Sequence, residues 1–179
     1  QEISRILNSL PSVASVGENR QDMMVRGGGP TENGFIIDNI PIPSISHFNT
    51  SDGRSNGPIG IVNTEMVNSL EFYANGFSSK FGNKLSSYGD IDYREGSTNS
   101  FEFNFGLGLG GLGSLVEGPL TNKISYIISY RKSYLNLISD LINAGGLPSY
   151  SDLQGKLTYK PNIYNTFTLL TVNGNSLYE

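Results

Sequence analysis

From Phe101 to Gly110 the chain alternates without a break. Phe101, Phe103, Phe105, Leu107 and Leu109 fall on one parity, and Glu102, Asn104, Gly106, Gly108 and Gly110 on the other. Successive side chains of a strand point to opposite faces, so a strict period of two demands β-structure. The strand it predicts is greasy on one side and polar or bare on the other. The pattern returns further on. Ser125, Ser129, Arg131 and Ser133 alternate with Tyr126, Ile128, Tyr130 and Tyr134, with Ile127 on the polar parity and Lys132 on the apolar one. Asp152, Gln154, Lys156, Thr158 and Lys160 oppose Leu153, Gly155, Leu157 and Tyr159. Residues 112–120 continue as a weaker strand ending at Glu117-Gly118-Pro119, and TFTLLTVNGNSLYE forms a last strand whose facing the pattern leaves open.

Two architectures accept such strands. In a membrane β-barrel each strand of roughly 9–11 residues crosses the bilayer, apolar side out. In a soluble antiparallel sandwich the apolar side packs on a core, and the same alternation results. Turn lengths favour the barrel. Residues 121–123 make a short turn, 135–150 a long loop with one helical turn, and 162–165 a short turn again, as in barrels with short periplasmic and long outer connections. The short connection at Gly110-Gly111 departs from that rhythm. Asp152, Gln154, Lys156 and Lys160 on one face suit a water-filled lumen, and Tyr134, Tyr159 and Tyr164 near strand ends suit an interfacial girdle. Unpaired strand edges are excluded from lipid, so a barrel predicts many more strands after Glu179. The chain begins and ends in mid-pattern, as a piece of something longer would.

Composition agrees with a turn-rich β protein. Only 37% of the 179 residues are hydrophobic and 16% charged, and the chain is rich in turn-forming and aromatic residues, with 22 Gly, 10 Tyr and 9 Phe. A net charge of −4 without a basic stripe excludes nucleic acid as a partner. There is no cysteine for disulfide or thiol chemistry, and His47 is the single histidine, too few for a multi-His metal site. No apolar run reaches the ~18 residues of a transmembrane helix, and no signal peptide opens the chain. Nothing calls for a cofactor.

The first hundred residues read differently. Ile3, Ile6, Leu7 and Leu10 give residues 2–9 the apolar face of a short helix, stopped at Pro11. Residues 22–27 form a short strand. In VRGGGPTENGFIIDNIPIP (25–43) the glycine run is no phosphate loop: Pro30 closes it, no Lys-Ser/Thr follows, and no helix opens. Phe35-Ile36-Ile37 and Ile40-Pro41-Ile42 flank Asp38-Asn39, two residues that tolerate the left-handed region a tight hairpin needs. Pro41 and Pro43 cannot donate to a ladder, which places an arm at an edge or bends it away. Residues 47–58 are a polar loop. Asn63-Thr64 caps a helical turn carrying Ile61, Val62 and Met66, followed by a strand at Ser69–Tyr73, a glycine-punctuated turn region at 76–87 and a strand at 89–96. Asp90 and Asp92 share one face of that strand, without a cleft-forming motif beside them.

Two stretches, MMVRGGGPTENGFIIDNIPIPSISHF and VNSLEFYANGFSSKFGNKLSSYGDIDYREG, resemble together the plug domain of TonB-dependent outer-membrane receptors. The matching motifs, in family order, are Val25-Arg26-Gly27, Asn33, Ile36-Ile37-Asp38-Asn39-Ile40-Pro41, Leu70-Glu71-Phe72-Tyr73, Gly76 and Lys80-Phe81-Gly82. LVEGPL followed by YRKSY resembles the first barrel strands of Bacteroidetes-type receptors. Asn39 replaces the usual glycine, and Ala74 stands where many members carry Arg or Lys. The resemblance implies an α+β plug domain over 1–97 and the first antiparallel strands of a transmembrane β-barrel over 98–179.

It also implies a function: a bacterial outer-membrane receptor that imports a scarce nutrient (siderophore, cobalamin, glycan or peptide), driven by the proton-motive force through TonB and its inner-membrane complex. Its partners are then TonB, outer-membrane lipid and a surface substrate-binding lipoprotein, and it is not an enzyme. Arg26 becomes a buried plug arginine, bonding backbone carbonyls and pairing with Glu71 or Glu117 as plug–barrel contacts. His47, Asn49, Asp52 and Arg54 become a substrate-facing loop. The residues taken alone leave a rival open, a non-transporting β-sandwich adhesin or carbohydrate binder. An enzyme lacks a catalytic constellation here, and a passive porin has no need of residues 1–97.

Overall fold

A computed structural model describes residues 3–17, 20–55, 57, 59–74, 76–108, 111–134 and 149–177. The chain divides into two compact units, Gln1–Tyr93 and Arg94–Glu179. The division falls just before the change of character at Ser97 read from the sequence. Of the loop with a helical turn expected at 135–150, residues 135–148 lie outside the described residues, and Ser149 and Tyr150 belong to a strand; the Gly110 side of the short connection lies outside them too.

The first unit opens with α1 (Ile3–Leu7), shorter than the expected helix, with Ile3 and Leu7 buried and Ile6 and Leu10 left exposed. β1 (Val13–Ser15) pairs antiparallel with β2 (Met23–Val25). A single 3-10 turn at Pro30–Glu32 leads into β3 (Asn33–Ile37), which returns through β4 (Ile40–Ile42). Asp38 and Asn39 take φ values of 47° and 67°, the paired left-handed conformation that a two-residue hairpin requires. β5 (Val67–Ala74) and β6 (Ser87–Tyr93) complete a mixed sheet in the order β4-β3-β6-β5, with β3 and β6 parallel. β4, carrying Pro41, lies at an edge, where its missing donor costs no ladder bond. β3 is buried along its whole length, as a central strand between two neighbours should be. Its one polar side chain is satisfied: Asn33 donates to the Met23 carbonyl at 2.7 Å and accepts from the Ser87 hydroxyl at 2.8 Å. Gly34 has no alternative, because a Cβ there would strike the Tyr88 ring. That ring stacks on Phe81, and Tyr73 and Phe77 close the cluster.

The second unit is a five-stranded antiparallel meander. Its strands are β7 (Glu102–Gly108), β8 (Gly111–Thr121), β9 (Ile124–Lys132), β10 (Ser149–Asn162) and β11 (Asn165–Leu177), in sequential order. Turns of two residues join β8 to β9 and β10 to β11. The sheet is open, with β7 and β11 at its edges. Register aligns the alternation of every strand. Phe105 pairs with Ser114, Ser114 with Tyr130, Tyr130 with Leu153 and Leu153 with Asn173 on one face. Glu117, Ile127 and Lys156 line up on the other, with Leu170 continuing the row. The facing of β11, open from its sequence, follows from this register: Phe167 and Leu169 share the face of Tyr159 and Leu157.

The polarity of the sheet is inverted relative to a soluble protein. On the apolar face of the inner strands Ile128, Tyr130 and Leu153 are 43%, 38% and 48% exposed, while the edge strand β7 is exposed on both faces. On the opposite face Glu117, Ser129, Asp152, Gln154, Lys156 and Thr158 are buried. A sandwich requires the reverse. Among the described residues no helix is long and apolar enough to cross a membrane, a fact without bearing on strands.

Candidate functional site

Three arrangements stand out: the polar face of the second unit, the loop after Ser46 in the first, and the turn at Arg26. The polar face is built by alternation and satisfied by register. Arg131 on β9 and Asp152 on β10 are Cα partners, and the guanidinium clasps the carboxylate at 2.9–3.1 Å through Nε and Nη2. Gln154 donates to the same carboxylate at 3.1 Å. Asp152 has no exposed side-chain surface, so its charge depends on those donors. On β8, Glu117 is held by Arg94, with bonds of 2.8 and 3.1 Å in a two-pronged pair. Both carboxylates therefore sit paired on a face that also carries buried Gln154 and Lys156.

The polar loop folds back on itself. Bridges join Ser46 to Gly60 and Asn49 to Ser55, and the His47 amide donates to Ile59 at 3.0 Å. Its base is pinned by Arg20, which donates to the Ser55 carbonyl through Nε and Nη2, and by Asp22, which accepts from the Ser55 amide at 2.8 Å. At its tip the Thr50 hydroxyl bonds Asp52, the Arg54 amide reaches Asp52 Oδ1 at 3.3 Å, and Arg54 Nε stands 3.4 Å from Oδ2. The Thr50 hydroxyl, then the Arg54 amide, hold the Asp52 carboxyl below its ordinary value. Asn49, Asp52 and Arg54 are exposed together, whereas the His47 side chain is buried beside Phe48. The loop thus brings three of its four singled-out residues to the surface.

Arg26 occupies a turn closed by the Gly28 amide on the Val25 carbonyl at 2.9 Å. Arg26 and Gly27 both take positive φ, 48° and 86°. The glycines do not enclose the arginine: its side chain is exposed, and its backbone amide donates to Ser12 at 3.0 Å. Gly28 is instead demanded by the close approach of the Ser86 side chain, which bonds the Val25 carbonyl at 2.6 Å. Of the carboxylates named for Arg26, Glu71 accepts from the Tyr73 hydroxyl and Glu117 holds Arg94. The Glu71 bond also raises the Tyr73 phenol above its ordinary value. Asp38 and Asn39 make the hairpin tip, where Asp38 accepts from the Tyr93 amide at 3.1 Å. Asp90 pairs with Lys80 at 3.0 Å and Asp92 accepts from Ser69, so the two acids act separately. The sequence offered no sign of Arg94 or of the Arg131–Asp152 pair, since both depend on register between strands.

Residues 1–86 match the family described as the TonB-dependent receptor plug domain. No curated protein matches the chain significantly. Solved structures are similar over the whole chain. The siderophore receptor PirA of Acinetobacter baumannii is 19% identical with a TM-score of 0.66, covering 99% of this chain and 29% of its own. PirA of Pseudomonas aeruginosa is 16% identical at 0.64, covering 100% and 31%. The ferric enterobactin receptor PfeA of Pseudomonas aeruginosa, solved with enterobactin, is 15% identical at 0.62, covering 98% and 30%. At these identities the likeness is one of fold, and the chain spans about 30% of the length of each receptor.

Proposed function

We propose that the chain, whose residues 1–86 match the TonB-dependent receptor plug domain, is the plug and first barrel strands of an outer-membrane receptor that imports a scarce nutrient. The observation that carries this reading is the inverted sheet: on its inner strands Ile128, Tyr130 and Leu153 are exposed, while Glu117, Asp152, Gln154 and Lys156 are buried on the other side. An exposed apolar face matched to a polar interior is what a lipid-facing stave needs. The cargo belongs to the siderophore, cobalamin, glycan or peptide class, which this scaffold serves alike. TonB and its inner-membrane complex supply the energy from the proton gradient, and a surface lipoprotein delivers substrate. Asn49, Asp52 and Arg54 face the substrate, and His47, the fourth residue of the loop, is buried at its base. Arg26, Glu71 and Glu117 serve as contacts between plug and barrel. No covalent chemistry is done on the cargo.

The test is uptake by the full receptor in its native outer membrane. A radiolabelled ferric siderophore, cobalamin, an oligosaccharide and an oligopeptide are offered to cells with and without TonB. The expected result is accumulation of one of them that stops when TonB is deleted or the proton gradient is collapsed. Accumulation that continues in both conditions overturns the reading, as does recovery of the receptor outside the outer-membrane fraction.

A further inference from the structure

The first residues of the second unit are tied to its own strands at several points before the chain reaches β7. Arg94 grips Glu117 of β8 with two bonds, of 2.8 and 3.1 Å. The Ser125 hydroxyl of β9 donates to the Glu95 carbonyl at 2.8 Å. The Glu95 carboxylate pairs with Lys160 of β10. Gly96 takes φ of 84°, and any side chain there would collide with the Tyr126 carbonyl oxygen of β9. Three consecutive residues thus reach three consecutive strands. Beneath them lies a cavity of about 60 Å³ lined by Glu95, Thr98, Thr158 and Lys160 among others. Thr158 is buried, and its hydroxyl has no partner among the described residues.

An ordinary linker needs none of this, since exposed connections run over the surface and follow whichever neighbour moves. We propose that residues 94–96 are a strap that anchors the start of the second unit on its own sheet, so that any remodelling of Gln1–Tyr93 stops at Arg94. The strap takes from the proposed function only that the first unit rearranges while the strands stay in the membrane. Its contacts suit the task. Glu117 is buried and carries a charge, so releasing Arg94 leaves that charge without its partner. Gly96 admits no substitute, which keeps the backbone in contact with β9. The strands therefore keep their first residues in register when the first unit opens.

The chain has no cysteine, so single cysteines report one position each. Ser87→Cys, fully buried in β6, reports the first unit, and Thr158→Cys reports the space beneath the strap. The full receptor in detergent is titrated with urea, and maleimide labelling is timed at each site. Ser87→Cys is expected to open first, with Thr158→Cys labelling at least about tenfold more slowly in the same urea, as separate cooperative units do. Adding Arg94→Gln and Glu95→Gln should bring the two rates to within about twofold, and Lys160→Gln alone should shift them part of the way. Equal rates in the unaltered strap overturn the proposal, as does a strap-variant Thr158→Cys that stays slow. Uptake plays no part in this readout. A receptor that fails the TonB test yet keeps Thr158→Cys protected refutes the function and leaves the strap standing.

Discussion

Asp52 shows what a single exposed residue can and cannot do. Its side chain is 58% exposed and so is that of Arg54, so the ion pair between them is screened and contributes little to stability. What it does is local. With the Thr50 hydroxyl and the Arg54 amide on its carboxylate, Asp52 fixes the turn that presents Asn49 and Arg54. Its carboxyl is held below the ordinary value of 3.8, so this order is complete above that pH and is lost as pH falls through the lowered value. Replacing Asp52 with Ala is expected to speed amide exchange at Arg54 at neutral pH, after correction for intrinsic rates. At pH below the lowered value the variant and the parent should exchange alike. A difference that persists there would mean the turn is held by something other than the charged carboxylate. The turn itself was legible as a Gly-Asn-Ser-Asp cluster in 47–58. The burial of His47 was not, because it depends on the bridges that fold 46–60 back on itself.

At the scale of the element, the hairpin between β3 and β4 was readable down to its tip residues. Asp38 and Asn39 are the pair that can enter the left-handed region without glycine, and both do. The register then follows, with Ile37 opposite Ile40 and Phe35 opposite Ile42. Asn39→Val places a branched Cβ at φ 67° and is expected to cost about 1–2 kcal/mol. Asn39→Gly, which needs no Cβ at a left-handed position, should be neutral or slightly stabilising. Urea midpoints of the first unit, followed by the Ser87→Cys label, check both. A Val variant as stable as the parent would show that the tip is not held in that conformation. By contrast, the contacts of the strap were invisible in sequence: Tyr93-Arg94-Glu95-Gly96 closes the second plug-like stretch, while Glu117, Ser125 and Lys160 lie far along the chain. Only strand register brings them within reach. The same holds for the expected enclosure of Arg26 by glycines. The run Gly27-Gly28-Gly29 serves a tight turn and the approach of Ser86, and it leaves the arginine outside.

At the scale of the whole molecule, strand alternation gave the architecture because period two is local, and register only had to align it. It could not say which face points outward, since a sandwich and a barrel share the pattern. Burial separates the two on the inner strands: Ile128, Tyr130 and Leu153 are exposed where a soluble core would enclose them, and Ser129 and Gln154 behind them are buried. The separation has a measurable consequence at neighbouring positions. Phe105 lies in the middle of β7, on the face it shares with Ser114 and Tyr130, and Asn104 lies beside it on the face of Leu115. In a lipid-facing stave Phe105→Arg puts a charge near the bilayer midplane, at a cost of about 2–4 kcal/mol. Asn104→Arg puts the same charge toward a polar interior at much smaller cost. The full receptor carrying Phe105→Arg is expected to reach the outer membrane in reduced yield and to lose its heat-modifiable folded band at lower urea. Asn104→Arg should match the parent in both. If the two exchange places, with Asn104→Arg the damaging one, the apolar row is not facing lipid and the sheet is packed the other way round.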